Sequence, residues 1–112
     1  MIMHLEIVFN LKEIQLLKSL EKINFKKVCE NCSSLSWMNV NSENEYWIST
    51  EGILFNHNKS ELIQYPIGNQ RTTYTIPEET ERIRIGALTN CYKLEHIEDN
   101  ENNQHFISIE WR

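Results

Sequence analysis

The sequence predicts a mostly β fold built from short repeated units, and three observations predict it. One stretch matches itself when the chain is shifted by 59 positions, a fainter copy lies 24 positions upstream, and aromatic and branched residues gather in short runs closed by turn formers. In the stronger match Asn31, Cys32, Leu35, Asn41, Asn44, Ile48, Ser49 and Glu51 fall on Asn90, Cys91, Leu94, Asn100, Asn103, Ile107, Ser108 and Glu110. Eight identities within 21 ungapped positions are hard to attribute to chance. The conservative pairs Met38 with Ile97 and Trp47 with Phe106 support the same alignment.

The elements follow in order. In the first unit Leu11, Ile14 and Leu16 take the places of Leu35, Met38 and Val40, and the pattern returns as Leu94 and Ile97. A step of 24 is the length of a leucine-rich repeat, in which each turn supplies a short strand and a return segment. Leu5, Phe9, Leu16, Leu20 and Ile23 also lie near helical spacing, so a helical cap is the alternative for residues 1–25. The step of 59 adds 35 residues to one such turn, and these read as a β-hairpin and a connection. Tyr46-Trp47-Ile48 and Ile53-Leu54-Phe55 have strand composition, His57-Asn58-Lys59 supplies a turn, and Leu62 to Tyr65 returns as the partner strand. Pro66 and Gly68 end that pairing. Tyr74-Thr75-Ile76 opens a new extended piece that Pro77 stops, and Ile83 and Ile85 then alternate with arginines as in a strand with one wet face. One domain, 1–112, is expected, with turns at about 5–28, 29–45 and 80–103 and the hairpin insertion at about 46–79.

Composition bounds the function. Hydrophobic residues make up 40% and charged residues 24% of the 112, which speaks for a folded domain. The formal charge of -5, with no basic cluster, argues against nucleic acid, whose binders need a basic face to release counterions. No run approaches the roughly 20 apolar residues that span a bilayer, so direct membrane insertion is not expected. Met1 to Phe9 contains His4 and Glu6 and lacks a basic start and a cleavage site, so it does not read as a signal peptide. Read as complete, the chain is cytoplasmic; read as one segment of a longer array, its export route lies elsewhere. Asp99 is the single Asp, which weakens any mechanism requiring an Asp pair.

Glu51-Gly52-Ile53-Leu54-Phe55, then Lys59, then Leu62-Ile63-Gln64-Tyr65-Pro66 together resemble the "DGVLF…K…L…YP" signature of BspA-like leucine-rich repeats. Tyr74-Thr75-Ile76-Pro77 resembles their "Y-x-IP", and Ile83, Ala87-Leu88, Asn90-Cys91, Leu94 and Ile97 resemble their "IG…AF.NC..L..I". The chain departs from the pattern at Arg84 for Gly, Leu88 for Phe, Leu17 for Pro, and Lys27-Val28 for Ala-Phe with one extra residue before Cys32. The resemblance implies a right-handed, mostly β leucine-rich repeat solenoid. It also implies a non-enzymatic surface or secreted scaffold that adheres to matrix or neighbouring-cell proteins.

Cys29-Glu30-Asn31-Cys32 is the sharpest motif pointing elsewhere, since a C-x-x-C pair serves as a redox dithiol or half a zinc site. Cys32, however, recurs as Cys91, which has no such partner, and free Cys packs as a small hydrophobe. Cys91, His96 and His105 would have to complete a zinc site, without a second C-x-x-C or an H-x-x-x-H. The remaining histidines are scattered, and the serines lack a nucleophile elbow. Glu98 to Asn102 is oxygen-rich but lacks the Gly and distal Glu of a calcium loop. No catalytic residue, metal site or cofactor is therefore expected. The repeated Asn41/Asn100 and Asn44/Asn103 are expected to bond the backbone at turns.

The repeat core is expected at Leu35, Met38, Ile76, Ile83, Leu88, Cys91, Leu94 and Ile97, shared between neighbouring turns. Trp37 precedes the inward Met38, so alternation turns it outward, and its register partner is His96. Exposed Trp is a typical binding anchor, which makes Ser34, Trp37, Asn39, Glu95 and His96 the candidate strand face for a protein partner. Contact of Trp37 with a neighbouring coil is the competing reading. A thiol or zinc protein using Cys29 and Cys32, and a degenerate repeat fragment without a separate role, are the alternatives of other classes.

Overall fold

The computed structural model describes residues 7–9, 12–22 and 34–99, and among these it contains strands and turns but no helix. The strands are β1 (Ile7–Phe9), β2 (Glu13–Leu16), β3 (Trp37–Val40), β4 (Trp47–Thr50), β5 (Ile53–Asn56), β6 (Glu61–Gln64), β7 (Thr73–Thr75), β8 (Arg82–Ile83) and β9 (His96–Glu98). They form three sheets ordered β1-β2-β3, β4-β5-β6-β8 and β7-β9. The chain is thus mostly β, and β1 and β2 stand where the helical cap was the alternative.

The 24-residue self-match is the hydrogen-bonded register of a parallel pair. β2 lies beside β3 with Ile14 opposite Met38 and Leu16 opposite Val40. Two further parallel pairs step by similar lengths: Leu62 opposite Ile83 in β6 and β8, and Tyr74 opposite Ile97 in β7 and β9. Parallel strands need a connection of a dozen or more residues, and each unit supplies one. The segment expected as hairpin and connection carries a ladder strand of its own, β7.

The middle segment is an antiparallel meander of three strands. Glu51 and Gly52 close β4 onto β5 as a two-residue turn with φ of 55° and 79°. Positive φ at both positions is the I′ geometry that matches strand twist. The next turn is held by Asn56, whose Oδ1 accepts from Glu61 N–H at 2.9 Å, and by Lys59 at φ 62°. A register shift between Leu54 and Phe55 marks a bulge where β5 meets β6.

Strands β5 and β6 are buried on both faces, and alternation splits them between two cores. Ile53, Phe55 and Leu62 join Tyr65, Tyr74, Ile76, Ala87, Leu88, Cys91 and Leu94 in one cluster. Leu54 and Ile63 join Ile14, Leu16, Leu20, Leu35 and Met38 in the other. The expected core residues lie in these clusters, with Leu35 and Met38 in the second and Ile76, Leu88, Cys91 and Leu94 in the first. Ile83 and Ile97 are only partly buried and pack against the first cluster.

The strand expected through Ile85 stops at Ile83. Ala87 N–H bonds back to Arg84 O at 3.0 Å, and Gly86 at φ 87° makes the corner. Ile85 therefore sits at the outer corner of a turn and is 87% exposed. The wet face of β8 is real for Arg82 and Arg84, which lie 3.6 and 3.5 Å from the Glu61 carboxylate across the parallel pair.

Asn41 and Asn44 act as the repeat predicts. Asn41 Oδ1 accepts from Glu43 N–H at 2.8 Å. Asn44 is buried and fully satisfied: its amide donates to Leu17 O and Leu20 O at 2.9 and 3.0 Å, and its Oδ1 accepts from Tyr46 and Trp47 N–H at 2.8 and 3.0 Å. It ties the loop after β2 to the start of β4. Their repeat partners Asn100 and Asn103 lie outside the described residues. No helix among the described residues is long and apolar enough to cross a membrane.

Candidate functional site

Strand alternation fixes the site. In β3 Met38 is buried, so its neighbour Trp37 points away from the core, and it is 40% exposed. Its indole lies against Gly52: a Cβ built there would stand 2.5 Å from Trp37 Cδ2. Only a residue without a side chain lets the ring seat on the turn. Met38 N–H donates to Gly52 O at 2.8 Å and fixes that turn beside β3.

A polar chain runs from the indole. Trp37 Nε1–H donates to Asn39 Oδ1 at 2.9 Å, and the Asn39 amide donates to Glu13 Oε1 on β2. The face is therefore preorganised: the ring's rotamer is set by a hydrogen bond and by the glycine beneath it.

Glu95 and His96, also expected on this face, are exposed at the start of β9. They do not adjoin Trp37. β9 pairs with β7, and the Glu51–Gly52 turn is the neighbour of β3. The structure thus gives two groups, Ser34, Trp37 and Asn39 in one and Glu95 and His96 in the other. Cys29 and Cys32, on which the thiol and zinc alternatives rest, lie outside the described residues, as do His4, His105 and Trp111. Among the described residues no group of three or more His, Cys, Asp or Glu side chains could hold a metal ion.

Sequence reading missed Arg71 and Asn69, which tie the segment before β7 to the Glu51 turn and to the lead into β3. Arg71 Nη2 donates to Glu51 O at 3.1 Å, and its guanidinium carbon lies 5.9 and 5.8 Å from the ring centroids of Tyr65 and Tyr74. This is cation–π range, and the two rings meet edge to face at 5.9 Å. The buried Asn69 donates to Ser36 O at 2.9 Å and accepts from Arg71 N–H at 3.0 Å. Neither residue belongs to the repeat, so no periodic signal announced them.

Beside this face lies a cavity of about 280 Å³ lined by Lys12, Ser34, Ser36, Gly68, Gln70 and Lys93. Ser36 Oγ donates to Lys12 O at 3.1 Å and Gln70 Nε2 to Gly68 O at 3.1 Å, which hold its walls.

Three buried acids shape the pH response. Burial pushes the Cys91 thiol from an ordinary 9.0 up to about 12. Burial likewise raises the Tyr65 and Tyr74 phenols above 10.0, against the opposing pull of Arg71. The folded state keeps these protons where the unfolded chain gives them up. Their contribution to stability is complete below pH about 9 and is lost as pH rises toward about 12. The urea midpoint should stay level to pH about 9 and then fall, and Cys91→Ala should flatten the first part of that fall. A midpoint that rises above pH about 9 would contradict the assignment.

No family model matches the chain, and no curated protein matches it. Solved structures do. A leucine-rich repeat protein from Eubacterium ventriosum superimposes with a TM-score of 0.63 at 21% identity, over 77% of this chain and 25% of that one. The pneumococcal vaccine antigen PcpA superimposes with a TM-score of 0.68 at 27% identity, over 81% of this chain and 22% of that one. The chain spans about a quarter of the length of each.

Proposed function

We propose, from the leucine-rich repeat likeness, that the chain is a segment of a right-handed solenoid of the BspA-like kind. Its work is non-enzymatic: the strand face around Trp37 binds a protein. The two structural neighbours support a protein-binding repeat scaffold. A role in adhesion, with an extracellular matrix or neighbouring-cell protein as the partner, is the finer part of the reading and comes from the resemblance of Glu51 to Pro66.

The observation that carries the proposal is the seat of Trp37. A large aromatic ring is held half out of the surface, hydrogen-bonded at its one polar atom and backed by a glycine. Holding such a ring exposed and ordered lowers the entropy cost of binding, and aromatic anchors of this kind dominate interface energetics. Trp37→Ala should weaken binding to immobilised matrix or cell-surface proteins by at least about tenfold, a modest value for an interface anchor. The variant should keep its amide dispersion. Unchanged binding by a folded variant would remove the face from the proposal.

A further inference from the structure

The turn on which Trp37 rests is held at both of its carbonyls from outside its own hairpin. Gly52 O accepts from the Met38 N–H of β3 at 2.8 Å, and Glu51 O accepts from Arg71 Nη2 at 3.1 Å. The first bond is backbone to backbone; the second depends on one side chain, 20 residues further along the chain. The segment that carries Arg71 is tied to the lead into β3. Gly68 N–H donates to Leu35 O at 2.6 Å, Asn69 donates to Ser36 O at 2.9 Å, and Arg71 N–H donates to Asn69 Oδ1 at 3.0 Å. Arg71 thus reaches the turn from a fixed backbone, with the Tyr65 and Tyr74 rings beside its guanidinium.

Two features give up stability at this place. A two-residue I′ turn favours asparagine or glycine at its first position, yet Glu51 stands there at φ 55°. Arg71 Nη1 is buried and has no hydrogen-bond partner among the described residues. A buried donor left unpaired is a net cost, which an aliphatic side chain of similar length would avoid. The two features meet at the Glu51 carbonyl: a turn whose sequence does not favour its shape is held by a residue that leaves a donor unpaired. Strain of this kind persists where a structure needs one geometry in place of the most stable one. What needs the geometry lies against the turn, since the Trp37 indole seats on Gly52.

We propose that Arg71 is the positioning residue of the Trp37 face: it holds the Glu51–Gly52 turn in the shape on which the indole seats. The effect on binding rests on the protein-binding reading of that face, whereas the effect on the ring does not.

The test uses Arg71→Met, which keeps an apolar stem beside the two tyrosines and deletes the donor, alone and with Glu51→Asn, which favours the turn by itself. The readouts are the Trp37 indole N–H resonance, hydrogen exchange at the Met38 amide, and affinity for an immobilised extracellular-matrix extract. In Arg71→Met the indole resonance should move, Met38 exchange should quicken at least about tenfold, and affinity should fall at least about fivefold. The added Glu51→Asn should return the resonance and the exchange rate toward their original values, because the turn then no longer needs an outside bond. An unmoved resonance with unchanged Met38 exchange in folded Arg71→Met overturns the proposal. A moved resonance that Glu51→Asn does not return also overturns it, since Arg71 would then act through core packing. If Arg71→Met does not fold, the double variant decides: folding with the indole in place supports the proposal, and failure to fold overturns it. A moved resonance, returned by Glu51→Asn, with unchanged affinity upholds the role of Arg71 and removes Trp37 from the binding reading.

Discussion

Asn44→Ala is expected to lower the unfolding free energy by about 3–4 kcal/mol, the largest loss from any single polar side chain in the described fold. Four hydrogen bonds end on this one amide, and it is buried. Removal leaves the Leu17 and Leu20 carbonyls and the Tyr46 and Trp47 N–H groups without it, each worth about 1 kcal/mol when desolvated. A domain of this size has a total stability of about 5–15 kcal/mol, so the variant should be close to half unfolded under mild denaturant. Equilibrium urea unfolding measures the loss. A loss below about 1 kcal/mol would mean that water replaces the amide and that the loop after β2 is not held by it. Asn44→Asp is the sharper companion: it keeps the acceptor and deletes the donor, so it should cost less than alanine if the Tyr46 and Trp47 bonds dominate.

Gly52→Ala is expected to cost about 2 kcal/mol and, more tellingly, to unseat Trp37. Two effects add. The backbone at φ 79° strains any L side chain, and the new Cβ would lie 2.5 Å from the indole. The ring has open solvent on its other side, so it will swing outward rather than disrupt the core, and its bond to Asn39 Oδ1 will break. The indole N–H resonance of Trp37 should move to a solvent-exposed position while the amides of β5 and β6 hold theirs. Protein binding through this face should fall together with the resonance shift. If the resonance stays in place, the glycine is needed for its turn and not for the ring.

How much of this was legible in the sequence follows from what leaves a periodic trace. The 24-residue match was the true register of β2 on β3, because residues in a parallel ladder meet the same environment at each step. Asn41 and Asn44 were legible for the same reason: a turn that recurs needs its side-chain bond to recur. The meander was legible from composition, with its second turn at His57-Asn58-Lys59. Gly52 under Trp37 left no trace, since a ring resting on a backbone joins residues 15 apart through a contact made once. The cavity is a stronger case, since Lys12 and Lys93 line one space only through the stacking of whole units. The face itself was read in part. Trp37 and Asn39 are bonded neighbours, but His96, the match of Trp37 by repeat register, lies on β9, which pairs with β7.

The doubly buried strands β5 and β6 bear on how the molecule comes apart. In an array whose units touch only their neighbours, stability is a sum of local terms and the ends fray first. Here Leu54 and Ile63 are anchored in one cluster while Ile53, Phe55 and Leu62, their chain neighbours, are anchored in the other. Opening either side exposes one face of a strand whose opposite face still holds. The meander acts as a party wall between two rooms, and neither room can be emptied while the wall stands. Cooperativity is therefore built in at the centre of the chain: the N-terminal and C-terminal halves should melt in a single step, as one foldon in place of two.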